Sequence, residues 1–222
     1  MELILDTANV EAIKYYQQVL TIDGVTTNPT ILTKENRDYR EVIQEIISVL
    51  HEDQSLHIQV VSTDVEGIVK EGKVINQLRK NTYAKIPCTK EGFQAMKQLK
   101  QEGYLVTATA CYSANQGVLA AKCGVDYIAP YLNRLDNIGV DGVAIIADLV
   151  AILDYYGYPT KVVAASFKNA QQALEMMKAG CPAMTIAPEV VDKMMEQSMT
   201  DDAVRAFSSD WKKAFNEEGF NW

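Results

Sequence analysis

The sequence predicts a closed parallel (β/α)8 barrel, a TIM barrel, with an additional C-terminal helix. Eight short apolar stretches alternate with eight stretches of helical periodicity, and no composition break divides the 222 residues. No G-x-G-x-x-G follows any strand, which weighs against the runner-up, an open doubly wound sheet. A chain of this length buries one sizeable core, so residues 1–222 read as a single barrel domain.

The elements follow in order. Glu2–Asp6 reads as a strand and Val10–Val19 as a helix. Gly24–Thr26 is a short second strand, followed by the turn signal Asn28-Pro29 and a helix over about Asp38–Leu50. His57–Val61 is the third strand, and Asp64 can cap a helix running to about Arg79. Thr82–Ile86 is the fourth, with Thr89-Lys90-Glu91 opening the next helix. Tyr104–Thr109 is the fifth, and Ser113 is a candidate cap for a helix reaching Lys122. Tyr127–Tyr131 is the sixth, and a loop rich in Asn, Asp and Gly leads to a helix over Gly142–Tyr156. Lys161–Ser166 with a helix over Asn169–Lys178 forms the seventh unit. Ala183–Ile186 is the eighth strand, with Pro188 placed for the first turn of a helix. Beyond it, Ala203, Val204, Phe207, Trp211, Ala214 and Phe215 recur at helical spacing in residues 200–222. Such an apolar stripe must be covered, either by its own barrel or by a neighbouring subunit.

Composition narrows the partners. A net charge of −8 argues against a nucleic-acid backbone as ligand, because such proteins cluster Lys and Arg. No run is long or apolar enough for a membrane span, and the start opens directly on a strand pattern, so the expectation is a cytoplasmic protein. Cys88, Cys111, Cys123 and Cys181 are scattered and read as reduced packing thiols. The only histidines, His51 and His57, sit at no metal-ligand spacing and read as surface or strand-start residues, so no metal is expected.

The chemistry centres on Tyr83-Ala84-Lys85-Ile86-Pro87. Strand alternation puts Tyr83 and Lys85 on one face, and a lysine is almost never buried without a reason. Burial favours the free amine, the form that attacks a carbonyl; the plainer alternative is a lysine snorkelling to water. In a barrel the reacting groups project from the C-terminal strand ends. Those ends carry Asp6, Thr26, Asn28, Gln59, Lys85, Thr107, Thr109, Ala129, Tyr131 and Ser166. They are expected on one inward face together with Ile4, Val61, Tyr83 and Ala164. So many polar groups on an inner face are unfavourable unless they converge on a ligand or water. One lysine, one carboxylate, one phenol and several neutral hydrogen-bonders suit Schiff-base carbon–carbon chemistry. Asp6 is the candidate for the substrate hydroxyl, and Tyr131 for a proton shuttle through a water held by Gln59 and Thr109. Asp6 as a simple ion-pair partner of Lys85, and Tyr131 as a core aromatic, are the plainer readings. Arg134, just past the sixth strand, and Ser166, before a helix start, suit a phosphate; a mere surface charge is the alternative for Arg134.

These residues lie in motifs that resemble a known family. Leu5-Asp6-Thr7, Gly24-Val25-Thr26-Thr27-Asn28-Pro29-Thr30, Ala84-Lys85-Ile86-Pro87, Ala129-Pro130-Tyr131-Leu132-Asn133-Arg134 and Ala164-Ala165-Ser166-Phe167 resemble the small-subunit transaldolases, closest to their fructose-6-phosphate aldolase branch. The resemblance implies Lys85 as Schiff-base lysine with Asp6 as its carboxylate partner, and Thr26 and Asn28 on the dihydroxyacetone portion. It implies Arg134 and Ser166 on the phosphate of a sugar phosphate, no cofactor, and a homo-oligomer whose last helix crosses to an adjacent subunit in a decamer of stacked pentamers. Transaldolases of the family carry glutamate on the third strand and phenylalanine ending the sixth, whereas its aldolases carry glutamine and tyrosine; Gln59 and Tyr131 are the aldolase pair. Thr107 departs from the pattern, standing where the aldolases have a bulky aliphatic residue, which implies a more polar donor pocket. The expected activity is therefore cleavage of fructose 6-phosphate, with transaldolase as the close rival. A sugar-phosphate isomerase and a non-catalytic binding barrel are the distant ones.

Overall fold

The computed structural model describes residues 1–220. Eight parallel strands close into a barrel, each pairing with its sequence neighbours and β8 returning to β1. The strands are β1 (Glu2–Asp6), β2 (Gly24–Thr26), β3 (Ser55–Gln59), β4 (Thr82–Pro87), β5 (Val106–Cys111), β6 (Tyr127–Pro130), β7 (Lys161–Ala164) and β8 (Ala183–Ile186). Helices α1 (Val10–Val19), α2 (Pro29–Thr33), α3 (Tyr39–Val49), α4 (Val65–Gln77), α5 (Lys90–Gln101) and α6 (Ala114–Lys122) accompany the first half. Helices α7 (Leu132–Asn137), α8 (Gly142–Tyr155), α9 (Ala170–Lys178), α10 (Pro188–Met195) and α11 (Ser198–Phe215) follow.

Polar caps set where most helices begin. The side chains of Asn9, Asn28, Asp64, Thr89, Ser113, Asp141 and Asn169 each accept a backbone N–H from the first turn of the following helix. Each such bond stabilises its helix by about 1 kcal/mol and fixes the point at which the chain leaves the barrel mouth.

The core has two parts. A large one lies between the outer strand face and the helices, and a small one fills the barrel with Ile4, Tyr127, Ala129, Val163, Ala165 and Ala183. The parallel registers stack the inward side chains in tiers of four drawn from alternate strands. Gly24, Tyr83, Tyr127 and Ala183 form the lowest tier, and Ile4, His57, Thr107 and Val163 the next. Thr26, Lys85, Ala129 and Thr185 come above them, then Asp6, Gln59, Thr109 and Ala165 at the mouth. Contacts within tiers bear this out: His57 Nδ1 lies 2.8 Å from Thr107 Oγ1, and Thr26 Oγ1 lies 2.5 Å from Thr185 Oγ1. Gly24 is where the lowest tier needs room, since a Cβ there would come within 2.1 Å of Ser55 Oγ.

Several expectations are corrected. β3 begins at Ser55, not His57, because Gly24 pairs with Ser55; Val61 lies past the strand and is 73% exposed, so it has no place on the inner face. The inward residues here are Val163 on β7 and Ala165 just past its end, whereas Ala164 packs among the helices. His57 is no surface residue. It is fully buried inside the barrel, stacked on Tyr83 at 4.6 Å with Tyr127 edge-on at 5.1 Å. Two short helices, α2 and α7, occupy segments expected as turn and loop. Among described residues α11 buries none of its side chains; Val204, Phe207 and Phe215 are exposed. The expected arm extends to Trp222, which lies outside the described residues.

Candidate active site

A cavity of about 730 Å3 opens at the C-terminal end of the barrel. Asp6, Asn28, Gln59, Lys85, Tyr131, Arg134 and Ser166 all line it, so seven of the eleven residues expected from sequence meet in one space. Thr26 and Thr109 stand one step back. Thr26 Oγ1 donates to Asp6 Oδ1 at 2.7 Å, and Thr109 Oγ1 lies 3.1 Å from the Tyr131 hydroxyl. Ala129 is buried inside the barrel in the lysine's own tier and does not line the cavity. Thr107 is fully buried and does not line the cavity; its hydroxyl is engaged by His57.

Lys85 is 4% exposed, and its Nζ donates to the Thr27 carbonyl at 2.8 Å. Burial pushes its pKa down, with Asp6 pulling the other way. Asp6 is pushed up, again by burial, against the opposing pull of Lys85 and the Thr26 hydroxyl. Both groups are thereby moved toward their neutral forms. No ion pair joins them among the described residues, so the plainer reading of Asp6 as a salt-bridge partner is not what the geometry holds. Burial likewise raises the Tyr131 phenol, with Thr109 opposing, so it stays protonated at neutral pH. Its ring touches Tyr112 edge-on at 5.6 Å and carries the Arg134 guanidinium 5.0 Å from its centroid.

Asn28 spends its carboxamide oxygen on the Ile31 N–H at 3.0 Å, capping α2, which leaves its NH2 free for the cavity. Ser166 reaches the cavity through a left-handed backbone, φ 66°, rather than by strand alternation. The next helix starts only at Ala170, so Ser166 is not at its N-terminus as expected. Ala110 also lines the cavity through a left-handed residue, φ 50°, at the bulge where β5 shifts register against β6. Sequence reasoning missed Lys168 and Lys34, exposed lysines on the cavity wall, and Thr185, the inward partner of Thr26. Thr185 was reachable by alternation along β8; an exposed loop lysine carries no such signal.

A family model for transaldolase/fructose-6-phosphate aldolase matches residues 3–218. The chain belongs to this family. Curated relatives agree over nearly their whole lengths. A probable transaldolase of Methanococcus maripaludis is 41% identical over 97% of this chain and 100% of its own. Another from Clostridium acetobutylicum is 40% identical over 98% and 100%, and probable transaldolase 1 of Listeria monocytogenes is 41% identical over 96% and 99%. In this transaldolase/aldolase family member one cavity brings together the buried Lys85 amine, the Tyr131 phenol, three carboxylates (Asp6, Glu35 and Glu189) and three further cationic side chains (Lys34, Arg134 and Lys168).

Proposed function

We propose that the protein is a class I, Schiff-base-forming aldolase that reversibly cleaves fructose 6-phosphate to dihydroxyacetone and glyceraldehyde 3-phosphate. The observation that carries this reading is the enclosed Lys85 amine with Gln59 and Tyr131, not glutamate and phenylalanine, beside it in the cavity. The neutral amine attacks the C2 carbonyl, and the carbinolamine hydroxyl takes a proton from the neutral Asp6 carboxyl and leaves as water, giving a protonated imine. The Asp6 carboxylate left by that transfer takes the proton from the C4 hydroxyl, and the C3–C4 bond breaks with its electrons passing into the iminium as an enamine. Glyceraldehyde 3-phosphate departs. Tyr131, oriented by Thr109, delivers a proton toward C3 through a water, and hydrolysis of the imine frees dihydroxyacetone and the amine. Thr26 and Asn28 serve the dihydroxyacetone end, with Ala129 and the Thr107 tier shaping the space below it.

Arg134, Ser166 and Lys168 are assigned to the phosphate in this reading, supported by their all lining the cavity. Charge-assisted contacts of this kind are each worth roughly 1.5–3 kcal/mol, or about 10–100-fold in affinity. Arg134→Ala is expected to raise KM for fructose 6-phosphate by about that factor while leaving trapping of unphosphorylated dihydroxyacetone unchanged. Equal losses with both ligands would remove Arg134 from the phosphate site.

The second reading, transaldolase, is favoured by the names of the relatives. Purified protein is given fructose 6-phosphate without an acceptor, and with dihydroxyacetone and borohydride followed by mass mapping of the modified lysine. The aldolase reading expects glyceraldehyde 3-phosphate in the first assay and an adduct on Lys85 in the second. A strict need for added erythrose 4-phosphate would establish the transaldolase instead.

The same reading includes a cytoplasmic homo-oligomer, a decamer of two stacked pentamers, with α11 docking on a neighbouring subunit. Its support is the exposed stripe of Val204, Phe207 and Phe215. Phe207→Glu is then expected to yield a smaller species by sedimentation, and an unchanged mass would leave the arm without that role.

A further inference from the structure

The active site so far leaves unused a fully buried imidazole, His57, in the tier directly beneath Lys85. Its ring reaches from β3 past β4 to Thr107 on β5, stacked on Tyr83 as it does so. Thr107 is in turn the Cα partner of Lys85, so the two side chains are neighbours on the inner face.

The direction of the hydrogen bonds can be assigned from their far end. Ser55 Oγ donates to the Asp23 carbonyl at 3.3 Å, because a carbonyl can only accept. Ser55 Oγ is therefore free to accept from His57 Nε2, 3.1 Å away. The proton sits on Nε2, and Nδ1 accepts from the Thr107 hydroxyl at 2.8 Å. Each bond points away from the lysine. Thr107 thus spends its hydrogen on His57, and its oxygen lone pairs stay uncommitted in the tier next to that of Lys85. Burial and the Lys85 charge together push the imidazole down to about 3, so it stays neutral and does not set a second cation under the first.

We propose that His57 is a positioning residue for the Lys85 imine, acting through the Thr107 hydroxyl. It fixes the negative end of an ordered chain of dipoles beneath the nitrogen that becomes cationic. Preorganised dipoles of this kind stabilise the charged form without rearranging during the reaction. The inference rests on the Schiff-base reading of Lys85. The other groups facing this region are Tyr83 and Tyr127 below and Asp6 at the mouth above; among the described residues Thr107 Oγ1 is hydrogen-bonded to His57 and to none of these three.

The test is the pH dependence of trapping by dihydroxyacetone and cyanoborohydride, read at Lys85 by mass mapping, together with kcat. His57→Phe keeps the ring stack but removes the acceptor, so the Thr107 hydrogen is released to turn toward the amine. The midpoint of trapping is expected to fall by about one pH unit, with kcat down about tenfold. Thr107→Val, nearly the same shape without the oxygen, is expected to shift the midpoint equally, and the double variant no further than either single one. His57→Asn presents an amide oxygen at the Nδ1 position and is expected to restore the parent midpoint. Unmoved midpoints in His57→Phe and Thr107→Val would overturn the inference, as would an Asn variant displaced as far as Phe. Should the ring change unfold the barrel, Thr107→Val carries the test alone. Absence of a Lys85 adduct in the unaltered protein is a different outcome, and it removes the aldolase reading itself.

Discussion

Lys85→Met is expected to abolish fructose 6-phosphate cleavage and borohydride trapping while making the folded protein more stable at neutral pH. Loss of a covalent nucleophile lowers turnover by about six orders of magnitude. The stability gain has a separate origin. Lys85 is 4% exposed, and its pKa is lowered chiefly by burial. Below that lowered pKa the fold must hold an ammonium where water cannot reach it, and methionine removes this requirement. Replacing a buried charge by an apolar isostere is worth roughly 1–4 kcal/mol. The Thr27 carbonyl loses its donor, which offsets part of the gain and puts the expected increase near the lower end, about 1–2 kcal/mol. The pH dependence supplies the control. Between the folded pKa and the ordinary lysine value the unfolded chain binds the extra proton, so parental stability rises with pH through that window. Lys85→Met lacks that slope, and its advantage in urea unfolding is expected to shrink as pH climbs. A less stable Met variant at neutral pH, or a constant difference across the window, would mean that the amine is not held at the expense of the fold.

That trade-off explains why the site was legible in the sequence at all. Lys85 is anomalous within an otherwise apolar strand, and alternation along β1, β3 and β4 puts Asp6, Gln59 and Lys85 at the same end of the barrel. The strands that matched best, β1, β2 and β8, are apolar runs bounded by sharp turn or cap residues. What stayed hidden depends on geometry that no local pattern encodes. Ser166 and Ala110 enter the cavity by left-handed backbone conformations, which sequence alternation cannot anticipate. Helix α7 begins where Leu132 and Asn133 donate their N–H groups to the carbonyls of Ala165 and Ser166, on the segment leaving the neighbouring strand β7, a tertiary condition on a short segment. His57 is the instructive miss. Alternation back from Gln59 lands on it, but its partner Thr107 lies two strands away, and only the stagger of the closed sheet brings them into one tier.

Tyr131→Phe is expected to cut release of free dihydroxyacetone by about 100-fold, the usual weight of a positioned general acid, while trapping at Lys85 persists. The hydroxyl is what changes. Phenylalanine retains the edge contact with Tyr112 and the guanidinium of Arg134 over the ring, so KM for the phosphorylated sugar moves little. Without the phenol, the enamine left after glyceraldehyde 3-phosphate departs waits longer for a proton, and an acceptor aldose has time to enter. Gln59→Glu works on the same partition from the other side. Position 59 is paired with Lys85, so a carboxylate there favours the charged imine and holds water by a stronger acceptor than an amide. Together the two changes recreate the pair that the family's transaldolases carry. The ratio of transfer to erythrose 4-phosphate over acceptor-free cleavage is expected to rise about 10–100-fold in the double variant, mostly through lost cleavage. The ratio is measured by coupled detection of glyceraldehyde 3-phosphate against chromatography of the seven-carbon product. If cleavage and transfer fall in parallel, the phenol serves a step common to both reactions, and the assignment of aldolase over transaldolase on Gln59 and Tyr131 loses its basis.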